Sequence, residues 1–331
     1  MAAKTILITG VAGLLGSNLA DWIAEHEPDT LILGVDNLSG GFIDNVNDNV
    51  VFYQQNLADD DLTFIFSKHN IDIIFHFAAY AAEGLSPFMR VFNYKNNLIS
   101  TTRLINLAIA HSVEKFVFTS SMATYGNGDP PFDENDLLSP IDPYGIAKVA
   151  CEQDLSVANI QHGLDYTIIK PHNVYGPKQN IWDRYRNVLG IWMNQHLNGQ
   201  PLVVFGDGKQ RRAFSFIYDV VGPLWIAGIS PEASRQIINL GGKKDISIDH
   251  AADLLLDVMG DGYKVYKESR HEVQNAWSTW KKSEQILGYE ENHTLKDGLE
   301  IMWDWAKKQP KRAQQTWESY ELDVGLYSFW K

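Results

Sequence analysis

The chain has 331 residues, of which 45% are hydrophobic and 21% charged, and this composition is typical of a globular protein with one large domain or two unequal ones. Its formal net charge of -13 argues against nucleic acid and anionic membranes as partners, so an anionic substrate needs a local cluster of arginines. The single cysteine, Cys151, excludes an intramolecular disulfide framework and a cysteine-rich metal site, and we predict no bound metal. We also predict a cytoplasmic protein, because the sequence shows no signal peptide and no apolar run long enough to span a bilayer.

Short β-branched or aromatic runs alternate with amphipathic stretches through the first half of the chain. This alternation is typical of βαβ units around a parallel sheet, so we predict an α/β fold with a Rossmann-type doubly wound parallel sheet. The predicted strands are residues 5–9, 31–35, 50–53, 71–77, 115–119 and 166–170. The predicted helices are residues 14–27, 59–69, 94–111 and 143–162.

After Pro171 this rhythm breaks into proline, glycine and asparagine clusters, which predict a second, smaller region. The second region begins with a predicted helix at 185–198 and a predicted strand at 202–205. Sheet and helix patterns at 213–229 and 237–240 indicate that the chain then returns to the first domain. A predicted helix at 246–259 follows in the second region. We therefore predict a Rossmann domain at 1–175, rejoined at about 213–240, and an interleaved C-terminal α/β substrate domain at 176–212 and 241–331. The charged, aromatic tail from Lys307 has no predicted role.

Three glycines, Gly10, Gly13 and Gly16, join the first predicted strand to the first predicted helix with GxxGxxG spacing. Glycines at these positions let the backbone turn tightly and let a pyrophosphate approach a helix N-terminus. The flanking strand and helix favour a dinucleotide site over an ordinary tight turn. Asp36 ends the second predicted strand, where a carboxylate can accept both ribose hydroxyls and repel a 2′-phosphate, which favours NAD over NADP. Taken alone, Asp36 fits a turn residue equally well.

A second candidate site begins at Asp142 and Pro143, an N-cap and a first-turn residue for the predicted helix. Tyr144 and Lys148 then lie one helical turn apart on the same face. A neighbouring ammonium and a positive nicotinamide ring would stabilise the phenolate, so Tyr144 could act as a base near neutral pH. The YxxxK spacing alone is weak, because short motifs also arise by chance.

The sequence contains a second YxxxK match, at Tyr263 and Lys267, in a strand-like segment where the same spacing does not bring the side chains together, and we predict a structural role for it. The match at Tyr144 is supported by a buried strand that opens into hydroxyl residues, Ser120 and Ser121, where ligands gather in doubly wound sheets. A hydroxyl there could bridge substrate and phenolate. The alternative is that one of the two serines only satisfies backbone groups at the strand end.

With these residues the chain resembles the extended short-chain dehydrogenase/reductase family, and within it the UDP-glucose 4-epimerase-like nucleotide-sugar enzymes, over essentially its whole length. The resemblance implies a Rossmann fold, tightly bound NAD and a UDP-sugar substrate. The matching segments besides the glycine triplet and Tyr144/Lys148 are His76-Phe77-Ala78-Ala79, Asn96-Asn97, Ser120-Ser121 through Tyr125-Gly126, Pro171 through Pro177, and Phe205-Gly206-Asp207-Gly208 leading to Arg211-Arg212-Ala213-Phe214.

The same resemblance implies roles for individual residues. Ser121, Tyr144 and Lys148 are the implied catalytic residues, with Tyr144 as the base and Lys148 on the nicotinamide ribose. The implied cofactor-binding residues are Gly10, Ala12, Gly13, Leu14, Leu15, Gly16, Asp36, Asn37, Ser39, Asn56, Leu57, Phe77, Ala78, Ala79, Tyr80, Asn97, Ser120, Tyr144, Lys148 and Pro171. The implied substrate-binding residues are Glu83, Ser121, Met122, Tyr144, Asn173, Arg212, Arg270 and Trp277, of which Asn173 and the two arginines hold the diphosphate.

Two positions bear on the choice between epimerase and dehydratase. The family's 4,6-dehydratases carry an Asp-Glu pair directly after the catalytic threonine or serine, and this chain has Met122 and Ala123 there, neither of which can move a proton. Glu83 is the alternative acid or base for a dehydratase, or a simple loop carboxylate. Trp277 lies where the family restricts the C2 substituent of the sugar, which would disfavour an N-acetyl group.

The resemblance implies epimerisation at C4: Tyr144 takes the proton of the 4-hydroxyl through Ser121 while NAD takes the hydride, and the 4-keto sugar turns over before the hydride returns. The alternatives are a 5,6- or 4,6-dehydratase with the same 4-keto chemistry and a non-catalytic NAD-binding protein. Relatives commonly dimerise through the helix that carries YxxxK and the helix before it, so we expect a homodimer with Cys151 as a packing residue.

Overall fold

The computed structural model describes residues 4–330 and shows a seven-stranded parallel sheet flanked by helices. The strands of this sheet are β1 (Thr5–Thr9), β2 (Leu31–Asp36), β3 (Val50–Gln54), β4 (Ile73–His76), β5 (Lys115–Thr119), β6 (Asp165–Pro171) and a late strand, β11 (Gln236–Leu240). The strand order is β11-β6-β5-β4-β1-β2-β3, so the chain runs outwards in both directions from β1. The predicted doubly wound sheet is confirmed, and its reversal of strand order places a ligand crevice at the carboxyl ends of β1 and β4.

Helices cover both faces of the sheet because successive side chains on each strand point to opposite faces. On one face, Leu7 and Phe116 pack under α2 (Thr63–Lys68), α4 (Ser100–Ala110) and α5 (Pro143–His162). On the other face, Ile6, Ile8 and Val117 pack under α1 (Leu14–His26), α7 (Ile217–Ile229) and α9 (Lys281–Leu287). Burial on both faces explains why these strands are apolar without alternation.

A smaller lobe packs beside the carboxyl ends of the strands and has its own apolar core. It contains α6 (Val188–Leu197), α8 (Ile248–Met259) and α10 (Leu295–Ala306), with β8 (Leu202–Phe205) parallel to β13 (Lys264–Lys267). In its second sheet β9 (Arg211–Ala213) lies between β12 (Asp245–Ser247) and β14 (Asn275–Ala276). The pair β7 (Val174–Tyr175) and β10 (Ser215–Phe216) joins the two lobes.

Several elements differ from the sequence prediction at their ends. The predicted helix at 59–69 is reduced to α2, because residues 59–62 are not helical and the Asp61 carboxylate accepts the Thr63 N–H at 2.9 Å. The predicted helix at 94–111 is α4, preceded by a π-helical turn at Lys95–Ile99 and by α3 (Arg90–Tyr94). The helix predicted at 185–198 begins only at Val188, after Asn187 caps it. In the second YxxxK match Tyr263 precedes β13 and Lys267 ends it, so the two residues lie on an extended segment and not on a helix face.

The tail after α10 has little regular structure, yet it is packed against the rest of the molecule. Leu326 and Trp330 are buried in an aromatic cluster with Phe88 and Tyr185. Among residues 4–330, none of the helices combines the length and the apolar character needed to cross a membrane.

Candidate active site

A cavity of about 800 Å³ lies where the carboxyl ends of the strands face the smaller lobe. Its wall includes Gly10 after β1, Asp36 at the end of β2, Phe77 after β4 and Ser121 after β5. The smaller lobe contributes Arg212 and its neighbours from the opposite side. The candidate cofactor and substrate residues from distant parts of the chain therefore meet in one cavity.

The glycine loop brings α1 unusually close to β1. Gly10 has φ +72°, and a Cβ there would lie 2.7 Å from the backbone nitrogen of Ala78. A Cβ on Gly16 would overlap the carbonyl of Gly10, so a side chain at either position would push the loop apart. Gly13 precedes α1 and offers no side-chain cap, which leaves the first N–H groups of the helix free for an anion such as a pyrophosphate.

Asp36 is held in place by the loop it faces. One carboxylate oxygen accepts the Ala12 N–H at 3.0 Å and the other accepts the Leu38 N–H at 2.7 Å. Burial raises the pKa of the Asp36 carboxyl, while these backbone hydrogen bonds and the Arg186 charge oppose the rise. The carboxylate retains lone pairs for ribose hydroxyls.

The cavity wall also contains buried polar atoms that find no hydrogen-bond partner among residues 4–330. These are both amide atoms of Gln179 and Nη2 of Arg186. Unpaired buried polar groups are rare in folded proteins, and their presence in residues that line the cavity is consistent with a polar ligand there. The glycine loop, Asp36 and these groups fit NAD, with pyrophosphate at the loop and ribose at the carboxylate.

Tyr144, Ser121 and Lys148 come together between β5 and the first turn of α5. Asp142 caps this helix by accepting the Gly145 N–H at 2.9 Å, and Pro143 occupies its first turn, as the sequence predicted. Burial and the nearby Glu83 carboxylate raise the pKa of the Tyr144 phenol, whereas its hydrogen bond with Ser121 lowers it. Tyr144 therefore keeps its proton at neutral pH until positive charge arrives beside it.

Lys148 supplies one such charge. Its Nζ donates to the Thr119 carbonyl at 2.7 Å and lies 5.8 Å from the centre of the Tyr144 ring. Burial lowers the pKa of Lys148 to about 8, so the ammonium is the main form at neutral pH and lies near its own titration point.

The two adjacent serines have different partners. Ser120 donates a short hydrogen bond to the buried Glu152, whose other oxygen lies 3.3 Å from Nζ of the buried Lys170. Ser121 instead accepts the Ala123 N–H at 3.1 Å and bonds to Tyr144. Ser120 is thus bound to a buried carboxylate, whereas Ser121 caps the following turn through its oxygen and also faces the cavity beside Tyr144.

A cluster of charged residues faces Tyr144 from the smaller lobe. Arg212 donates to the Val273 carbonyl at 2.6 Å, and both Arg212 and Arg270 pair with Glu272, at 3.5 and 3.4 Å. The Nε atom of Arg270 is buried and has no hydrogen-bond partner in the described chain. Asn173 also lines this end and donates to the Ala213 carbonyl at 3.0 Å. The positive charge that the acidic chain needs for an anionic substrate is present here.

Glu83 lines the cavity together with Tyr144 and the two arginines. Its charge acts on Tyr144 and Arg212, and burial together with the Asp142 carboxylate raises the pKa of Glu83 to about 7. Such a group can carry a proton or a negative charge near neutral pH.

Most of the site residues expected from the sequence line this cavity, and five do not: Ala12, Gly16, Asn97, Met122 and Trp277. Ala12 and Gly16 lie behind the wall, where the loop contacts Asp36 and β1. Asn97 is buried below Tyr80 and bonds to its backbone. Met122 begins a 3-10 turn away from the wall. The Trp277 carbonyl accepts the Phe132 N–H at 3.0 Å, next to a β-bridge between Phe132 and Ser278, and these backbone contacts hold Trp277 outside the cavity wall.

Other cavity residues were missed by the sequence analysis. Arg186 and Asn187 precede α6, and Val324, Gly325 and Tyr327 come from the tail. A polar pair directly ahead of a helix could have suggested the first two, whereas the tail offers only its aromatic content. These residues reach the cavity only because the smaller lobe and the tail pack against the first lobe.

A family model described as "NAD dependent epimerase/dehydratase family" matches residues 6–241, which is more than half of the chain. The chain belongs to this family. The expected resemblance, the Rossmann-type fold and NAD as cofactor are thereby confirmed.

Individual relatives match nearly the whole chain. A UDP-glucose 4-epimerase of Halalkalibacterium halodurans is 30% identical over 327 residues, which cover 92% of this chain and 96% of the relative. The structure of a UDP-glucose 4-epimerase from Thermotoga maritima with UDP-glucose superposes with a TM-score of 0.87 at 32% identity, covering 92% of this chain and 99% of that one. A UDP-glucuronic acid 4-epimerase from Bacillus cereus, solved with UDP-glucuronic acid and NAD, has a TM-score of 0.84, 27% identity and the same coverage.

Proposed function

We propose that this protein is an NAD-dependent epimerase that inverts C4 of a UDP-sugar through a transient 4-keto intermediate. The observation that carries the proposal is that one cavity holds both a Tyr144–Ser121–Lys148 group and an arginine pair. The first can exchange a proton with a sugar hydroxyl, and the second can bind a diphosphate. The relatives named above are 4-epimerases of UDP-sugars.

In the proposed reaction Tyr144 accepts the proton of the sugar 4-hydroxyl, and Ser121 holds that hydroxyl in the hydrogen-bond path. Lys148 stabilises the phenolate form of Tyr144. NAD, when bound, accepts the C4 hydride and returns it. Arg212 and Arg270 hold the diphosphate, so the 4-keto sugar can rotate without leaving the cavity and be reduced on its other face, while Tyr144 returns the proton.

A dehydratase is the second candidate, and Glu83 is the observation that favours it. Asp142 caps α5 and Glu272 is paired with arginines, so Glu83 is the cavity carboxyl group best able to shuttle a proton at this end of the described chain. A 4-keto sugar could then lose water with Glu83 as acid or base. Product mass separates the two reactions, because epimerisation leaves the mass unchanged.

We further propose that the sugar is neutral, of the UDP-glucose and UDP-galactose type. When Glu83 is ionised, its charge at the sugar end of the cavity repels a uronic acid carboxylate, whereas sugar hydroxyls can donate to it. Trp277 lies outside the cavity wall, so the expected exclusion of N-acetyl groups by this residue has no support from its position.

The test is to incubate the purified protein, without added NAD, with UDP-galactose, UDP-N-acetylgalactosamine and UDP-glucuronate, and to follow the products by proton NMR and mass spectrometry. We expect conversion of UDP-galactose to its gluco epimer at constant mass, because tightly bound NAD is regenerated in every cycle. Loss of water would indicate the dehydratase. Preferred turnover of UDP-glucuronate would contradict the neutral-sugar proposal while leaving the epimerase intact.

Tyr144→Phe is the variant that separates an enzyme from a protein that only binds NAD. Without the phenolic hydroxyl the proposed base for the 4-hydroxyl proton is lost, so we expect kcat to fall by about a hundredfold to ten-thousandfold. UDP and NAD binding should change little. Tyr263→Phe, the same change at the exposed second YxxxK match, is the control and should retain full activity. Equal turnover by both variants would refute the proposed base.

A further inference from the structure

The segment after α10, residues 307–330, has no role in the reaction proposed above. The Thermotoga maritima and Bacillus cereus enzymes are each covered to 99%, yet they match only 92% of this chain. About a twelfth of this chain therefore has no counterpart in them, and the segment after Ala306 is of that size. We call residues 307–330 the C-terminal segment.

The C-terminal segment is fixed along the side of the cavity at several points. Near its start Arg312 pairs with Asp44 at 2.6 Å, beyond the β2 end of the cavity. Gln315 then donates its N–H to the Trp182 carbonyl at 2.9 Å, and Glu321 accepts the first free N–H groups of α3 at 2.8 Å. Contacts on three separate parts of the fold hold the segment in one path.

Aromatic residues of the segment pack against residues of the cavity wall. The Trp317 indole N–H donates to the Tyr80 hydroxyl at 3.2 Å, and its ring meets Phe92 edge-on at 4.6 Å. The hydroxyls of Tyr185 and Tyr320 lie 2.8 Å apart. Tyr80, Phe92 and Tyr185 all line the cavity, so the segment supports this part of the wall from behind.

The end of the segment reaches the candidate diphosphate site. The Phe329 ring lies 4.5 Å from the Phe205 ring, and the Arg270 guanidinium lies 4.3 Å above the same Phe205 ring. The Tyr327 hydroxyl accepts the N–H of His271, the residue next to Arg270, at 3.0 Å. Tyr327 also lines the cavity directly. Two contacts from the segment thus hold Arg270, one through its stacking partner and one through its backbone.

We propose that the C-terminal segment is an added part of the substrate site, in which Tyr327 and Phe329 are positioning residues that hold Arg270 for the diphosphate of the nucleotide-sugar. The inference rests on the proposed function, since that function gives Arg270 its ligand. A guanidinium forms its best hydrogen bonds to a diphosphate when its plane is fixed in the right orientation. An arginine without its stacking partner must lose side-chain entropy when the ligand binds, and this loss lowers the affinity. The segment should therefore govern nucleotide affinity, with little effect on proton transfer at Tyr144.

The experiment uses the full-length NAD-loaded protein and measures UDP binding by calorimetry. We expect Tyr327→Phe to weaken UDP binding about fivefold, the size of one lost neutral hydrogen bond. Phe329→Leu keeps an apolar side chain but removes the ring, and we expect about tenfold weaker binding. For both variants the KM of the UDP-sugar should rise by a similar factor, and kcat should stay within about twofold. Tyr263→Phe and Ser328→Ala, both at exposed positions, are the controls.

The outcomes separate this inference from the proposed function. If the wild type converts UDP-galactose and both variants bind UDP as tightly as the wild type, the inference fails and the function stands. If the wild type binds UDP without converting any UDP-sugar, the function fails, and the variants still test the segment. A lower melting temperature with unchanged UDP affinity would show a structural role only and overturn the inference. A wild type that binds no UDP would overturn both.

Discussion

Glu83 and Tyr144 both line the cavity, and the negative charge of Glu83 raises the pKa of the Tyr144 phenol. Burial comes first among the causes that raise the pKa of Tyr144, and the Glu83 charge comes second. Since Glu83 itself has a pKa of about 7, it carries this charge mainly above neutral pH. The pH at which Tyr144 can act as a base thus depends on Glu83, which has no contact with the cofactor in the proposed reaction.

Glu83→Gln should therefore shift the acid limb of the kcat/KM profile to lower pH, on the order of one unit. Removal of the negative charge lowers the pKa of Tyr144, so the phenolate forms at lower pH. The profile is measured with UDP-galactose over a wide pH range. The exposed Glu290→Gln should leave the profile in place. A shift to higher pH, or none, would argue against Glu83 as a neighbour of the base.

Two adjacent arginines give a matched pair for the diphosphate site. The Arg212 side chain is 13% exposed and faces the cavity, whereas Arg211 is 44% exposed and pairs with Asp245 on the surface. Arg212→Gln should weaken UDP binding by about ten- to hundredfold, the usual loss for a hydrogen bond to a charged group. Arg211→Gln should leave UDP affinity unchanged. Calorimetry measures both, and equal losses would indicate a nonspecific effect of charge.

At the scale of elements, the contact between β1 and α1 depends on Gly16. We expect Gly16→Ala to destabilise the protein by about 1–3 kcal/mol, because the new Cβ overlaps the Gly10 carbonyl, and to lower the NAD content of the purified protein. Gly222→Ala, within α7, is the control. Its Cβ would have no tertiary neighbour nearer than 3.9 Å, but its position before Pro223 offsets the gain in helix propensity, so the free energy of unfolding should change by less than about 1 kcal/mol. Chemical denaturation and the absorbance of released NAD give the two readings.

Local signals account for the elements that could be predicted from the sequence. The helix at 143–162 was predicted to the residue because Asp142 caps its start and Gly163, with φ +76°, ends it. The strands at 5–9 and 115–119 are equally well bounded by their apolar runs. The glycine loop and the Tyr144/Lys148 pair were predicted for the same reason, because the residues of each motif lie within seven positions of one another in the sequence.

The rest depends on contacts between residues far apart in the sequence. Nothing local indicates that β8 pairs with β13, or that Arg186 reaches the cavity beside Asp36. The C-terminal segment is the clearest example, because its path is set by contacts with Asp44, Trp182 and α3, and its regular structure is limited to a 3-10 turn at Ser328–Trp330. Such contacts leave no periodic pattern for sequence analysis to detect.

For the whole molecule we propose a homodimer, with α5 and the helical segment before it at the interface. Ile146, Val157 and Ile160 on α5 are 45%, 46% and 79% exposed, and Ile99 on the preceding π-helical turn is 47% exposed. Residues 146 and 157 are three helical turns apart and lie on the same side of α5. A second copy of this surface would cover these apolar side chains and match the symmetry of most small oligomers.

Val157→Glu should therefore convert the dimer to a monomer, because it places a charge in an apolar interface. Sedimentation velocity at micromolar concentration measures the change. Leu137→Glu, on a loop where the side chain is 87% exposed, should leave the mass of the wild type unaltered. A wild type that sediments as a monomer at all concentrations would contradict the proposed interface.

The return of the chain to its first sheet has a consequence for how the protein is made. Strand β11 pairs with β6, so Ile237 lies beside Ile168, and α7 covers a face that includes Ile8 and Val117. On a ribosome, α7 and β11 emerge only after α6 and β8 of the smaller lobe have been synthesised. The nascent NAD-binding half must therefore wait with one apolar face uncovered, and it completes its sheet late in translation.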